Sequence, residues 1–167
     1  MEEIRNRVKE SGIITLDLAN HKPKVAIEEI DLSLQLWEGL VLKEKDFRKW
    51  VAEHDWKRYS DMAVYIHCTT DAIIPSWAYM LVASQLISLE IPFVVGPKND
   101  LIKQLITASI SSTDIESIRD ARVMIKGCSD IPEPEFAMSE LMKRIQPHVK
   151  SIMYGEPCSA VPVFKRK

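Results

Sequence analysis

Residues 62–95 read MAVYIHCTTDAIIPSWAYMLVASQLISLEIPFVV, and this stretch decides the fold that the sequence predicts. The apolar run 62–67 is typical of a buried strand, and 74–88 has the length and the nearly all-round apolarity of a buried helix. A second apolar run, 91–95, follows directly. A strand, a helix and a strand in this order predict a parallel βαβ unit with a right-handed crossover.

The same alternation extends on both sides of this stretch. The pattern predicts the following elements: a helix over 1–11, a strand over 14–18, a helix over 43–53, a helix over 99–111, a strand over 121–126, a helix over 134–146, a strand over 150–154 and an edge strand over 160–164 that tolerates Pro162. The stretch 25–42 fits two structures. Ile30, Leu32 and Leu34 alternate with polar residues as in a strand, which we favour, whereas Asp31 could cap a short helix.

The chain length fits one domain with a substantial core, because 167 residues can bury about two thirds of their unfolded surface. No internal repeat and no linker between domains are evident. We therefore expect a single α/β domain over residues 1–167. Its sheet should be mostly parallel with helices on both faces, and its N-terminal region should be less regular.

Composition excludes several classes of protein. Hydrophobic residues make up 46% of the chain, which argues against disorder. The net charge of −2 lacks the basic excess of proteins that bind a nucleic acid backbone. The longest uncharged run, 72–89, contains Pro75 and several polar residues, so we expect no membrane span.

The cysteines and the N-terminus favour the cytoplasm. Three cysteines are an odd number without short spacing, which argues against a secreted disulfide framework. The first residues are charged and lack the apolar stretch of a signal peptide. We therefore expect a cytoplasmic protein.

Each cysteine follows the end of a predicted strand. Cys68 follows 62–67, Cys128 follows the strand over 121–126 and Gly127, and Cys158 follows the strand over 150–154. If these strands are parallel and share one sheet, their carboxyl ends lie along one edge, where open α/β folds build their sites. We therefore expect the three thiols to lie in one small site.

Zinc is the metal that best suits such a site, because it binds thiolate and imidazole in tetrahedral geometry. The candidate ligands are Cys68, Cys128, Cys158 and His67, with a carboxylate as an alternative fourth ligand. If water held one position, Asp71 or Glu156 could act as a general base, as in a metal-dependent hydrolase. The chain has no CxxC pair and no HExxH motif, which are the stronger zinc signals.

Two other functions remain open. A cysteine-nucleophile enzyme is compatible with the same loops, although no arginine stands six positions after Cys68 or Cys128, as a phosphatase loop would require. A non-enzymatic interaction or scaffold domain, with cysteines that only pack, is the other alternative. The chain is compatible with a homo-oligomer, and its residues identify no small-molecule substrate.

Four segments carry a family resemblance. They are His67-Cys68-x-x-Asp71, Ile74-Pro75-x-Trp77-Ala78-Tyr79-Met80, Lys126-Gly127-Cys128 and Tyr154-Gly155-Glu156-Pro157-Cys158-Ser159. With them the whole chain resembles an uncharacterised family of small bacterial proteins. The resemblance implies a bacterial cytosolic protein and brings no activity with it.

Overall fold

A computed structural model describes residues 12–156 and 159–167, without the side chain of Cys128. The described chain divides into two compact units. The central unit comprises residues 24–102. The discontinuous unit comprises the residues up to Pro23 together with Lys103–Lys167.

Seven strands and four helices make up the regular structure of the described residues. The strands are β1 (Ile13–Asp17), β2 (Ala26–Asp31), β3 (Met62–His67), β4 (Phe93–Val95), β5 (Arg122–Lys126), β6 (Ser151–Tyr154) and β7 (Val161–Lys165). The helices are α1 (Glu44–Glu53), α2 (Ser76–Ser88), α3 (Lys98–Ser111) and α4 (Pro134–Ile145). This is an α/β fold, as the alternation of strands and helices predicts. None of the described helices is long and apolar enough to cross a membrane.

The central unit contains a three-stranded parallel sheet in the order β2-β3-β4. The middle strand buries Ala63, Val64 and Ile66, which explains its nearly continuous apolar sequence. Helix α2 buries Ala78, Val82 and Leu86 at a spacing of four residues, so these side chains share one face. Val64 and Ile66 of β3 and these three side chains of α2 belong to one hydrophobic core cluster.

The discontinuous unit contains the sheet β1-β5-β6-β7. The first three strands are parallel, and β7 pairs antiparallel with β6 at the edge. Pro162 lies in β7 next to a register shift, as an edge position allows. The predicted edge strand is thereby confirmed.

The two sheets contradict the expectation of a single sheet. Because β3 and β5 lie in different sheets, the ends of these strands do not share one edge. Strand propensity and helix alternation do not specify which strands pair, since pairing is a long-range property of the fold. The prediction that residues 1–167 form one domain stays a prediction.

The two units repeat one arrangement. In each, a strand ending in Asp pairs parallel with a second strand, which leads through a cysteine-bearing loop to a helix and then to a third parallel strand. The loops also agree in sequence: Asp71-x3-Pro75-x-Trp77-Ala78 matches Asp130-x3-Pro134-x-Phe136-Ala137. This correspondence between the two loops was not among the sequence-based predictions. The sequence similarity between the two loops is weak, because few positions have residues of the same type and the loops differ in length by one residue.

The ambiguous segment 25–42 combines both predicted structures. Strand β2 ends at Asp31, whose carboxylate caps a 3-10 turn over Leu32–Gln35. The alternating apolar pattern continues through this turn, but only Leu32 within it is fully buried. The predicted helix over 1–11 lies outside the described residues.

Candidate functional site

The carboxyl edge of the discontinuous unit's sheet forms a cleft of about 350 Å³. Strands β1, β5 and β6 are neighbours and parallel, so Asp17, Lys126 and Tyr154 end them at the same edge. The cleft is lined by Asp17, Lys126, Gly127, Ser129, Asp130, Tyr154, Gly155 and Glu156. We call it the edge cleft.

Asp17 is held at the edge cleft by the turn that it caps. Its Oδ1 accepts a hydrogen bond of 3.0 Å from the Ala19 amide, which begins the 3-10 turn Leu18–His21. Its Oδ2 lies 3.8 Å from Lys126 Nζ, and the Asp17 side chain is 35% exposed. One carboxylate oxygen therefore stabilises the backbone while the other faces a cation in the cleft.

Gly127 allows the loop after β5 to approach Asp17 closely. Its φ of +84° is in the left-handed region, and a Cβ at this position would lie 2.0 Å from Asp17 Oδ1. Only glycine fits this approach without movement of a neighbour. The loop therefore turns directly over the Asp17 carboxylate, and the next residue, Cys128, begins a 3-10 turn over Cys128–Asp130.

The loop after β6 forms the other wall. Gly155, with a φ of +116°, donates its amide to Ile125 O at 3.0 Å, which extends the ladder between β5 and β6. Glu156 follows as an exposed residue lining the cleft, and its carbonyl accepts a 2.9 Å bond from the Ser159 amide. The third predicted cysteine, Cys158, lies outside the described residues.

The corresponding edge of the central unit has a different character. The Asp31 carboxylate accepts four hydrogen bonds, from the amide and hydroxyl of Ser33 and from the amide and hydroxyl of Thr69, at 2.6–3.1 Å. Partial burial raises the pKa of Asp31, but these hydrogen bonds outweigh it and lower the pKa to about 2. The Asp31 carboxylate thus uses its full capacity to accept hydrogen bonds, and these bonds hold the ends of β2 and β3 together.

Three of the predicted site residues belong to this central edge. Cys68 is half-buried, and its thiol donates to the Thr70 carbonyl over 3.4 Å. His67 Nε2 lies 3.2 Å from Glu29 Oε2, which also accepts from Tyr65. Asp71 is exposed on the following loop. Cys128 and Glu156 belong to the discontinuous unit, whereas Cys158 lies outside the described residues.

The premise that all three cysteines follow strands of one sheet is therefore wrong. Of the three strands that precede the cysteines in the sequence, only β5 and β6 are neighbours in one sheet. Among the side chains that the structure describes, no group of three His, Cys, Asp or Glu residues is arranged to hold a metal ion.

Sequence reasoning missed Asp17, Lys126, Ser129 and Asp130 as members of the site. Asp17 could have been found from its position at the end of an alternating strand, next to a buried leucine that begins a turn. The sequence does not indicate that β1 pairs with β5 rather than with β2.

Comparison with known proteins gives one match. No curated protein and no solved structure matches the chain. The model of a family described as "Protein of unknown function (DUF2480)" matches residues 2–166. Because the match covers nearly the whole chain, the protein belongs to the DUF2480 family.

Proposed function

We propose that the edge cleft binds a divalent metal ion, with zinc as the first candidate, and that Cys128 and Cys158 are its thiolate ligands. The observation that carries the proposal is the parallel pairing of β5 with β6, whose following loops each carry a cysteine. Ser129, which follows Cys128, and Glu156, which stands two residues before Cys158, both line the cleft. The proposal reduces the ligand set from three cysteines to two.

The described side chains supply the remaining donors. Asp17, Asp130 and Glu156 all line the cleft, and zinc also binds carboxylate oxygen. Asp17 is already engaged by Lys126 and the Ala19 amide, so Asp130 and Glu156 are the better candidates for a third ligand.

Two thiolates and one carboxylate would leave one position of a tetrahedral zinc ion for water. A zinc-bound water loses a proton near neutral pH, and the second free carboxylate could accept it. This supports a hydrolase-type reaction in which Glu156 acts as the base. Asp71 has no part in it, because it belongs to the exposed loop of the central unit.

The internal repeat provides a matched control. Cys68 occupies in the central unit the place that Cys128 occupies in the discontinuous unit, because each follows a strand that lies between two parallel neighbours. Its thiol is bonded to the adjacent backbone, and Asp31 beside it is saturated by hydrogen bonds. We therefore exclude Cys68 and His67 from the metal site.

The test is elemental analysis of protein purified without added metal, with melting measured before and after chelation. We expect about one zinc per chain in the wild type and in Cys68→Ser, and a loss of zinc in both Cys128→Ser and Cys158→Ser. The chelator should lower the melting temperature of the wild type and of Cys68→Ser, but not of Cys128→Ser or Cys158→Ser. A metal-free wild type whose melting is unchanged by zinc, or equal loss in all three variants, would overturn the proposal.

A second candidate, an interaction domain, is favoured by the surface of α2. This helix has no charged residue, and it exposes Met80 and Ile87, which are 69% and 64% exposed. The corresponding helix, α4, carries charges at Glu135, Lys143 and Arg144 instead. If the protein is metal-free and Met80→Lys changes its sedimentation without lowering its stability, this second function replaces the first.

A further inference from the structure

A second cavity of the discontinuous unit lies at the opposite end of its sheet, where the parallel strands β1, β5 and β6 begin. It has a volume of about 610 Å³ and is lined by Ile13, Arg122, Lys150, Ser151, Ile152, Met153, Pro162, Phe164 and Lys165. A volume of this size is within the range of small-molecule sites. None of these residues belongs to the edge cleft.

The sheet register builds the cavity. Ile13 pairs with Arg122, Arg122 pairs with Ser151, and Ser151 pairs with Lys165, so one row of side chains crosses all four strands. Phe164 is opposite Ile152 in the next row, and Pro162 is opposite Met153 in the row after that. The cavity therefore rests on the backbone ladder rather than on a loop, and it combines a cationic rim with an apolar floor.

The cationic rim is uncompensated. Arg122, Lys150 and Lys165 form no ion pair with any described side chain. The acidic residue of the adjoining connector, Asp120, is engaged by Arg166, whose Nη1 lies 2.6 Å from its Oδ1. Three positive charges in a chain of net charge −2 thus line one cavity, and none of its described lining residues is acidic.

The floor is apolar and accessible. Ile13, Met153 and Phe164 all line the cavity and are half-buried, so a ligand could cover carbon surface without unfolding the unit. A purely inorganic anion would leave this floor in water, whereas an apolar molecule would leave the cations unpaired. A ligand with an anionic head on an apolar body would pair with the cationic rim and would also cover the apolar floor.

We propose that this cavity binds a free small molecule that carries a carboxylate or phosphate group on an apolar chain or ring. Arg122, Lys150 and Lys165 would bind the anionic group, and Ile13, Met153 and Phe164 would contact the apolar part. Binding needs no metal, so it is independent of the edge cleft.

Decanoate is the probe, and decyltrimethylammonium is the matched control with the same chain and opposite charge. In amide NMR spectra, decanoate should shift the resonances of Ile13, Met153 and Phe164, and the cationic analogue and inorganic phosphate should not. Arg122→Gln and Lys165→Gln should each weaken decanoate binding about two- to fivefold. Lys45→Gln, an exposed change of equal charge in the central unit, should leave the affinity unchanged.

Equal binding of both decyl probes, or unchanged affinity in both Gln variants, would overturn the proposal. Vesicles of phosphatidylcholine and phosphatidylglycerol form the second arm. Binding to anionic vesicles without binding of free decanoate would assign the cationic rim to a membrane surface and would also overturn it. Cys128→Ser should bind decanoate normally, so failure of the metal proposal would not affect this result.

Discussion

The Asp31 carboxylate accepts hydrogen bonds from both the amide and the hydroxyl of Thr69, at 3.1 and 2.6 Å. These bonds join the end of β2 to the loop after β3, across 38 residues of sequence. Because Asp31 also caps the turn at Ser33, one side chain stabilises two backbone segments of the central unit.

Replacing Asp31 by Ala should destabilise the protein by about 2 kcal/mol, since a cap and a cross-strand pair of hydrogen bonds are both lost. Urea unfolding followed by tryptophan fluorescence would measure it. Asp71→Ala is the matched control, because this exposed carboxylate has no hydrogen bond or ion pair within the described structure, and its effect should stay within about 0.5 kcal/mol. Equal effects of the two changes would contradict the assigned role.

The contribution of Asp31 should also depend on pH. Its pKa is lowered to about 2 in the folded protein, below the ordinary value of 3.8, so the unfolded chain binds the proton more readily. The stabilisation is complete above about pH 5 and is lost as the pH falls from about 4 to about 2. The stability difference between wild type and Asp31→Ala should shrink over that window and stay constant between pH 5 and pH 7.

Gly127→Ala should destabilise the protein more than Gly39→Ala. Both glycines have positive φ, which costs alanine about 1–2 kcal/mol. At Gly127 the new methyl group would also collide with Asp17 Oδ1, whereas Gly39 has no atom within 4 Å. Chemical unfolding should therefore show an excess loss of about 1–3 kcal/mol at Gly127. Equal losses would mean that Asp17 does not pack on this loop.

The repeated helices should carry equivalent core positions. Leu86 in α2 and Ile145 in α4 stand eight residues after a buried alanine and are fully buried, so truncation of either to Ala should cost about 2–5 kcal/mol. Ile87→Ala is the control, since its side chain is 64% exposed and little surface is lost. A large effect at Ile87 would contradict this assignment of the buried face.

His54 should titrate below its ordinary range. Burial lowers its pKa first, the charge of Arg58 lowers it further, and Asp55 only partly opposes them. The ring packs on Trp56 at 4.6 Å between centroids, and its Nε2 lies 3.1 Å from Tyr59 Oη. Since the folded pKa is below the unfolded value of about 6.5, His54 costs stability as the pH falls through and below that value.

NMR titration of the His54 ring would measure this pKa directly, and His54→Phe should flatten the matching part of the stability profile. A His54 that titrates at or above about 6.5 would show that the aromatic cluster does not desolvate it.

The sequence alone determined the elements that depend on local pattern. The strand over 62–67 and the edge strand with Pro162 are present as predicted, because an apolar run and a single proline act through neighbouring residues. The α/β class follows from the same alternation. The capping role of Asp31 was likewise among the structures that the sequence predicted, since its short carboxylate reaches the amide two residues later.

Only the tertiary structure decided which strands pair. Strand β1 does not pair with β2 or β3, the nearest strands in the sequence. It pairs with β5, which begins at Arg122, 105 residues after Asp17, so that two sheets form instead of one. Such pairing depends on long-range packing of helices and sheets, and a strand's own pattern does not encode its neighbour. The same choice brings Asp17 to the Gly127 loop and separates the Cys68 strand from the Cys128 strand. The three strand ends of the predicted site therefore belong to two sheets. At the edge of one sheet the Asp31 carboxylate is saturated by hydrogen bonds, and the edge of the other sheet carries the cleft.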